Sequence, residues 1–126
     1  MESEGRIRFT FQKSERLTGK KSIEELFKNG SSFYIHPIAL KFSLVDTSAS
    51  HRVLFAVPKR SLKKAVDRNL VKRRLREAYR LNKHQLSPKN NSFYNLAFIY
   101  ADAKILSFEE IENKLCQLLK RLEKTK

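Results

Sequence analysis

The chain has 126 residues, enough for one compact domain with a single modest core. Twenty-seven Lys and Arg against 13 Asp and Glu give a formal net charge of +14, an excess that works against compaction unless a polyanion relieves it. Nucleic acid is the first polyanion to consider and an anionic membrane surface the second. One cysteine excludes an internal disulfide and a cysteine-based zinc site, and no apolar run reaches the roughly 20 residues that a membrane span needs. The N-terminal residues also lack a signal-peptide core, so a soluble cytoplasmic protein is expected.

Residues 1–15 form a basic and aromatic arm, and residues 16–126 are expected to form the domain. In the arm, Arg6-Ile7-Arg8-Phe9-Thr10-Phe11 alternates with period two. It is either an edge strand or a mobile arm that orders on a partner. Ser22 with Glu25 three residues on has the form of a capping box. Ile23, Leu26 and Phe27 then share a helical face, and Gly30 is a stop, giving a first helix over about 22–29. Ile38 to Val45 is expected to be a strand, and His51 to Val57 a second, closed by Pro58. The polar residues 46–50 between them predict an antiparallel hairpin.

A long helix is predicted from Lys64 to Asn82, a stretch without Gly or Pro. A loop rich in Asn, Ser and Pro covers about 84–92, and Phe93 to Tyr100 is predicted to be another strand. Ser107 and Glu110 form a second capping box, opening a helix with Phe108, Ile111, Leu115, Leu118 and Leu122 along one stripe. Cys116 falls within this pattern and is expected to be a buried structural thiol. The element order predicts a single-domain α+β sandwich with helices packed on one sheet.

The long helix carries the main functional signal. From Lys59 to Lys83 there are eleven Lys or Arg and two acids, Asp67 and Glu77, a net +9 of the total +14. At 100° per residue, Arg68, Lys72, Arg73, Arg76, Arg80 and Lys83 share a broad face, with Val71, Leu75, Ala78 and Leu81 toward the core. Arg68, Lys72, Arg76 and Arg80 repeat at i, i+4 with one sign, which costs an isolated helix about 0.2–0.5 kcal/mol per pair. A solvated face would interleave Glu. The pattern points to phosphate binding, for which arginine's fork is suited. Lys59, Arg60 and Lys64 extend this surface, and Asn69 within it is either solvent-facing or a base or ribose contact.

The aromatic residues exceed what one small core absorbs, and exposed aromatics beside a basic surface stack single-stranded bases. Phe27, Phe33 and Tyr34 are the candidates. Catalytic patterns are not evident. His36, His51 and His84 are scattered, and there is no phosphate loop or paired-carboxylate cluster.

The run Val57-Pro58-Lys59-Arg60, followed by Ala65-Val66-Asp67-Arg68-Asn69-Leu70-Val71-Lys72-Arg73-Arg74-Leu75-Arg76-Glu77-Ala78-Tyr79-Arg80, resembles the signature of the bacterial ribonuclease P protein family. Arg16-Leu17 with Ile23, Phe27 and Gly30 resembles that family's opening helix. The likeness spans about residues 16–124. Leu70 stands where the Arg-Asn-Arg pattern has its second arginine, so that phosphate contact is either missing or supplied by Arg73 or Arg74. Lys63-Lys64 replaces the Gly-Asn often found before Ala-Val, and Ile23 replaces a common aromatic.

The resemblance implies a four-stranded sheet with three helices and a left-handed crossover around the long helix. It implies that Lys59, Arg60, Lys64, Arg68, Asn69, Lys72, Arg73, Arg76 and Arg80 bind RNA, chiefly the catalytic RNA subunit. A cleft with Phe27, Ile23, Phe33 and Tyr34 would hold the single-stranded 5′ leader of precursor transfer RNA. The hydrolysis that removes the leader would be carried out by the RNA subunit with Mg2+, with no catalytic residue and no metal on this chain and one protein copy per holoenzyme. A ribosomal or other structured-RNA-binding protein without a substrate cleft is the second reading. A DNA-binding module lacks a turn-helix partner helix, and membrane association lacks a broad Trp/Phe/Leu face.

Overall fold

The structure, a computed structural model, describes residue 11 and residues 13–46, 50–89 and 92–125. A 3-10 turn (Lys13–Glu15) leads into α1 (Lys20–Asn29), then β1 (Ser31–Ile35), β2 (Ile38–Val45), β3 (Arg52–Ala56), α2 (Ala65–Asn82), β4 (Phe93–Tyr100) and α3 (Phe108–Lys124). A second 3-10 turn, Lys83–Gln85, continues α2.

The strands form one sheet in the order β1-β2-β4-β3. β1 and β2 make an antiparallel hairpin, and β2 pairs antiparallel with β4 along its full length from Ile38↔Tyr100 to Val45↔Phe93. The expected β2–β3 hairpin does not form. β4 lies between them, and β3 pairs with it in parallel, from Arg52↔Asn95 to Ala56↔Ile99. The reason lies in Phe-Tyr-Asn-Leu-Ala-Phe-Ile-Tyr, which is buried along nearly its whole length and therefore takes a central position covered on both faces. The shorter β3, opening on exposed Arg52, takes the edge. Parallel neighbours need a long crossover, and α2 with its flanking loops supplies it.

Alternation along the strands separates two faces. One carries Ile38, Leu40, Val53, Leu96, Phe98 and Tyr100, packed against Val71, Leu75, Ala78 and Tyr79 of α2 and Ile111, Leu115, Leu118, Leu119 and Leu122 of α3. Tyr79 is buried where Leu81 is only half-buried, so the inner stripe of α2 is rotated toward Tyr79 relative to the expected one. Burial pushes the Tyr79 phenol well above its usual range. The other face carries Ala97 and Leu54, covered by Leu26 and Ile23 of α1 and by Leu17. The helices thus lie on both faces of the sheet.

The helix ends differ in how they are made. Ser107 accepts from the Glu110 amide and Glu110 accepts from the Ser107 amide, the expected capping box. α1 begins earlier than expected. Its N-cap is Gly19, at a φ of 95° that favours glycine, and no side chain caps it. Ser22 falls inside the helix, and Glu25 accepts from Asn29 Nδ2 at 2.6 Å instead. Gly30 ends α1 in extended geometry, and it is a glycine for space, since a Cβ there would lie 2.4 Å from the Leu26 carbonyl oxygen.

Residues 1–10 and 12 of the expected arm, including its alternating Arg6–Thr10 stretch, lie outside the described residues. Phe11 packs edge-on against Phe55 and Tyr79, and Arg16 bridges Val53 in parallel. Cys116 is half-buried rather than buried, and loss of solvation pushes its thiol pKa up. No helix among the described residues is long and apolar enough to cross a membrane.

Candidate RNA-binding surface

The outer side of α2 and the loop that enters it form one cationic surface. Lys59, Arg60, Lys63 and Lys64 are exposed on the loop, and Asn69, Arg73 and Arg76 are exposed on the helix. The surface is fixed because the opposite side of the same helix carries Val71, Leu75, Ala78 and Tyr79 into the core.

Four other basic residues, Arg68, Arg74, Arg80 and Lys83, are tied to the protein itself. Arg68 Nη1 donates to the Leu62 carbonyl at 3.0 Å and the Lys63 carbonyl at 2.7 Å. Arg80 pairs with Glu77 one turn back, an arrangement that lowers the Glu77 pKa and raises that of Arg80. Lys83 and Glu15 pair at 2.7 Å and are both largely covered, fastening the end of α2 to the N-terminal turn. Arg74 donates to the Leu106 carbonyl ahead of α3. Of the two candidates to replace an arginine at Leu70, Arg73 is the exposed one. Leu70 itself lines a hollow with Arg73, Arg74, Glu77 and Phe108 on the side facing α3.

Lys72 and Arg76 form one wall of a hollow of about 310 Å³ whose other walls include Phe11, Arg16, Leu54 and Phe55. Three cations, Arg16, Lys72 and Arg76, beside the rings of Phe11 and Phe55 suit a nucleotide, whose base stacks and whose phosphate is anionic.

The aromatic candidates divide between the two sheet faces. Phe27 is 37% exposed on α1, one turn beyond Ile23, which packs toward Leu17, Leu26 and Ala97. Tyr34 stands opposite Ala39 and is 53% exposed. The pairings Tyr34↔Ala39, Ala39↔Ile99 and Ile99↔Ala56 make a row across the sheet, half-buried after Tyr34 and lying beside the row that α1 covers. Phe27, Ile23 and Tyr34 therefore lie on the same face of the sheet.

Phe33 does not join them. Strand alternation turns it to the other face, where it packs on Phe42 at 4.8 Å and lies under the Arg121 guanidinium at 4.4 Å. It lines a separate hollow of about 550 Å³ with Phe42 and Tyr94.

A ribonuclease P family model matches residues 11–123. The chain is 34% identical over 122 residues to the ribonuclease P protein component of Porphyromonas gingivalis, covering 90% of this chain and 87% of that one. It is 35% identical over 130 residues to the component of Chlorobaculum tepidum, covering 87% and 80%. This chain belongs to the ribonuclease P protein family.

Among solved structures, the RNase P protein from Thermotoga maritima superposes with a TM-score of 0.71 at 27% identity, covering 85% of this chain and 96% of that one. The Staphylococcus aureus protein, at 23% identity, shares the fold with a TM-score of 0.75 over 86% and 95%. As a ribonuclease P protein, the chain is an RNA-binding subunit of the endoribonuclease that matures transfer RNA at its 5′ end, with catalysis by RNA. The cationic α2 surface suits such a subunit.

Two features of this face of the ribonuclease P protein escape a reading by composition. Lys41 lies in β2 on the Phe27 side of the sheet, next to the Ala97 row, and its Nζ donates to the Phe27 carbonyl at 3.5 Å. Its signal is a lone charge in Ile-Ala-Leu-Lys-Phe-Ser-Leu-Val, on the opposite alternation from Leu40 and Phe42. His36 and Asp102 meet only because the β1–β2 turn and the end of β4 are neighbours, 66 residues apart in sequence.

Proposed function

We propose that the protein grips the catalytic RNA through the exposed cations of the α2 surface and holds the single-stranded 5′ leader of precursor transfer RNA on the sheet face between α1 and Tyr34. The observation that carries the leader assignment is the open row Tyr34–Ala39–Ile99–Ala56 beside Phe27 and Lys41. Ala39, Ile99 and Ala56 are half-buried along it, Tyr34 stands exposed at its end, and exposed Phe27 and half-buried Lys41 lie toward α1 on the same face. A single strand needs stacking surfaces and a cation for its phosphates, and both are present on this face.

RNA-subunit contact is assigned to Lys59, Arg60, Lys64, Asn69, Lys72, Arg73 and Arg76, whose side chains face outward or line the Lys72–Arg76 hollow. Arg68 and Arg80 hold the shape of that surface. Magnesium enters this reading as the RNA subunit's cation. Among the described residues no group of three or more His, Cys, Asp or Glu side chains is placed to hold a metal ion. The protein's contribution is binding and orientation of the leader, carried out by one copy per holoenzyme in the cytoplasm.

The experiment compares affinities for leader-bearing precursor and mature transfer RNA in the reconstituted complex, with wild type, Phe27→Ala and Tyr34→Ala. The reading expects both variants to weaken the precursor selectively. Equal losses on both substrates would favour the second reading, a structured-RNA binder without a substrate cleft.

A further inference from the structure

A polar chain begins at Tyr34, the exposed ring of the proposed leader site. Tyr34 Oη lies 2.6 Å from His36 Nδ1, and His36 Nε2 lies 3.2 Å from Asp102 Oδ2. Its two ends are held together by backbone, because the Ala101 amide donates to the Pro37 carbonyl at 2.8 Å. The Lys104 amide donates to Asp102 Oδ1 at 3.2 Å. That bond, with the His36 contact, holds the Asp102 carboxyl below the usual carboxylate range.

The roles of the donors follow from chemistry. A carboxylate only accepts, so the ring nitrogen facing Asp102, Nε2, carries a proton. In the neutral imidazole Nδ1 is then the acceptor, and the Tyr34 hydroxyl donates to it. With the imidazole in that neutral form, the phenolic oxygen retains its lone pairs and its proton is committed to Nδ1. Toward a bound strand it is an acceptor. It suits a ribose hydroxyl or an exocyclic base amine, and it offers nothing to a phosphate oxygen.

The Tyr34 ring stands edge-on to the imidazole, with centroids 6.0 Å apart. At 53% exposure Tyr34 has little packing to fix its rotamer. A freely turning ring would lose that freedom on stacking and weaken the complex accordingly.

We propose that His36 and Asp102 are positioning residues for Tyr34, fixing its ring over the open row and presenting its oxygen as an acceptor to the sugar or base of the strand bound there. The proposal rests on the leader-binding reading above and adds the two residues that make Tyr34 a defined contact.

The test is a double-mutant cycle in the reconstituted holoenzyme, reading affinity for leader-bearing precursor and for mature transfer RNA. His36→Ala is expected to weaken the precursor about two- to tenfold, the worth of one ordered hydrogen bond, and to leave mature transfer RNA unchanged. In a Tyr34→Phe background His36→Ala is expected to add nothing, because its effect passes through the hydroxyl. Asp102→Asn keeps an acceptor for Nε2–H and is expected to retain most of the affinity, whereas Asp102→Ala matches His36→Ala. Thermal melts of the variants that match wild type confirm that the fold is intact.

Additive losses in the double variant, or equal losses on the two substrates, would overturn the relay. If Tyr34→Ala abolishes leader preference while His36→Ala and Asp102→Ala do not change it, the relay alone is wrong. If Tyr34→Ala leaves leader preference intact, the leader-binding reading itself is wrong.

Discussion

Arg68 reaches back across the entrance of α2 to Lys63, donating from Nη1 to its carbonyl oxygen at 2.7 Å and to the Leu62 carbonyl at 3.0 Å. Those carbonyls sit in the loop that presents Lys59, Arg60, Lys63 and Lys64. The guanidinium therefore shapes the basic surface from behind.

Arg68 and Arg76 are accordingly expected to behave differently, although the sequence gives them the same role. Arg76→Ala removes an exposed cation. It should leave the melting temperature unchanged and take about 0.7–0.9 from the slope of log K on log salt. Arg68→Ala should lower stability by about 1 kcal/mol and weaken RNA binding with a smaller change in slope. Salt titrations and urea melts on the two variants check this. Equal slope losses with no change in stability would make Arg68 a direct phosphate contact.

Lys41 is a half-buried cation on the Phe27 side of the sheet. Lys41→Met keeps the aliphatic stem and removes the charge. The variant should bind mature transfer RNA normally and bind leader-bearing precursor with a salt slope smaller by about 0.7, the value for a single-strand phosphate. Affinity measured across a salt series on both substrates decides it.

The Ser107–Glu110 capping box starts the helix that covers half of the sheet's inner face. Ser107→Ala should cost about 1 kcal/mol. The Ser107 amide bonded to Glu110, and the Ser107 hydroxyl beside it, lower the Glu110 pKa. A carboxyl with a depressed folded pKa stabilises the fold above its unfolded pKa, and this contribution is lost as pH falls through the folded value. Glu110→Gln should therefore flatten the acid side of the stability–pH curve, as read by urea melts, and leave neutral-to-alkaline behaviour parallel to wild type.

Leu75 is fully buried where α2 meets α3 and the sheet. Leu75→Ala should destabilise the protein by about 2–5 kcal/mol. Because Leu75 lies on the side of α2 away from the cations, the folded fraction should bind RNA with an unchanged salt slope. Calorimetry and a salt titration at low temperature check both parts.

Local signals made much of this structure legible. The strands at 38–45 and 93–100 and the helix opened by Ser107 follow from alternation, apolar continuity and capping chemistry, each of which acts within a few residues. Strand order did not follow. The polar loop after Val45 has the form of a hairpin turn, but the burial demanded by Phe93–Tyr100 places that strand between β2 and β3. The start of α1 differs from the local signal because Ser22–Glu25 has the spacing of a cap, whereas Gly19 makes the turn.

In the candidate site, the α2 cations were visible as a one-signed run, and Phe27 and Tyr34 as surplus aromatics. Phe33 illustrates the limit, since neighbouring strand residues face opposite ways and composition does not say which shares a face with Phe27. His36 and Asp102 were beyond reach for a different reason, being brought together only by the pairing of distant strands.

The most direct test of the central claim is cleavage of a 5′-extended precursor transfer RNA by a bacterial ribonuclease P RNA at low magnesium, with and without this protein. Cleavage at the mature 5′ end only when both components are present is the predicted result. Tight RNA binding with no stimulation of cleavage would contradict the account.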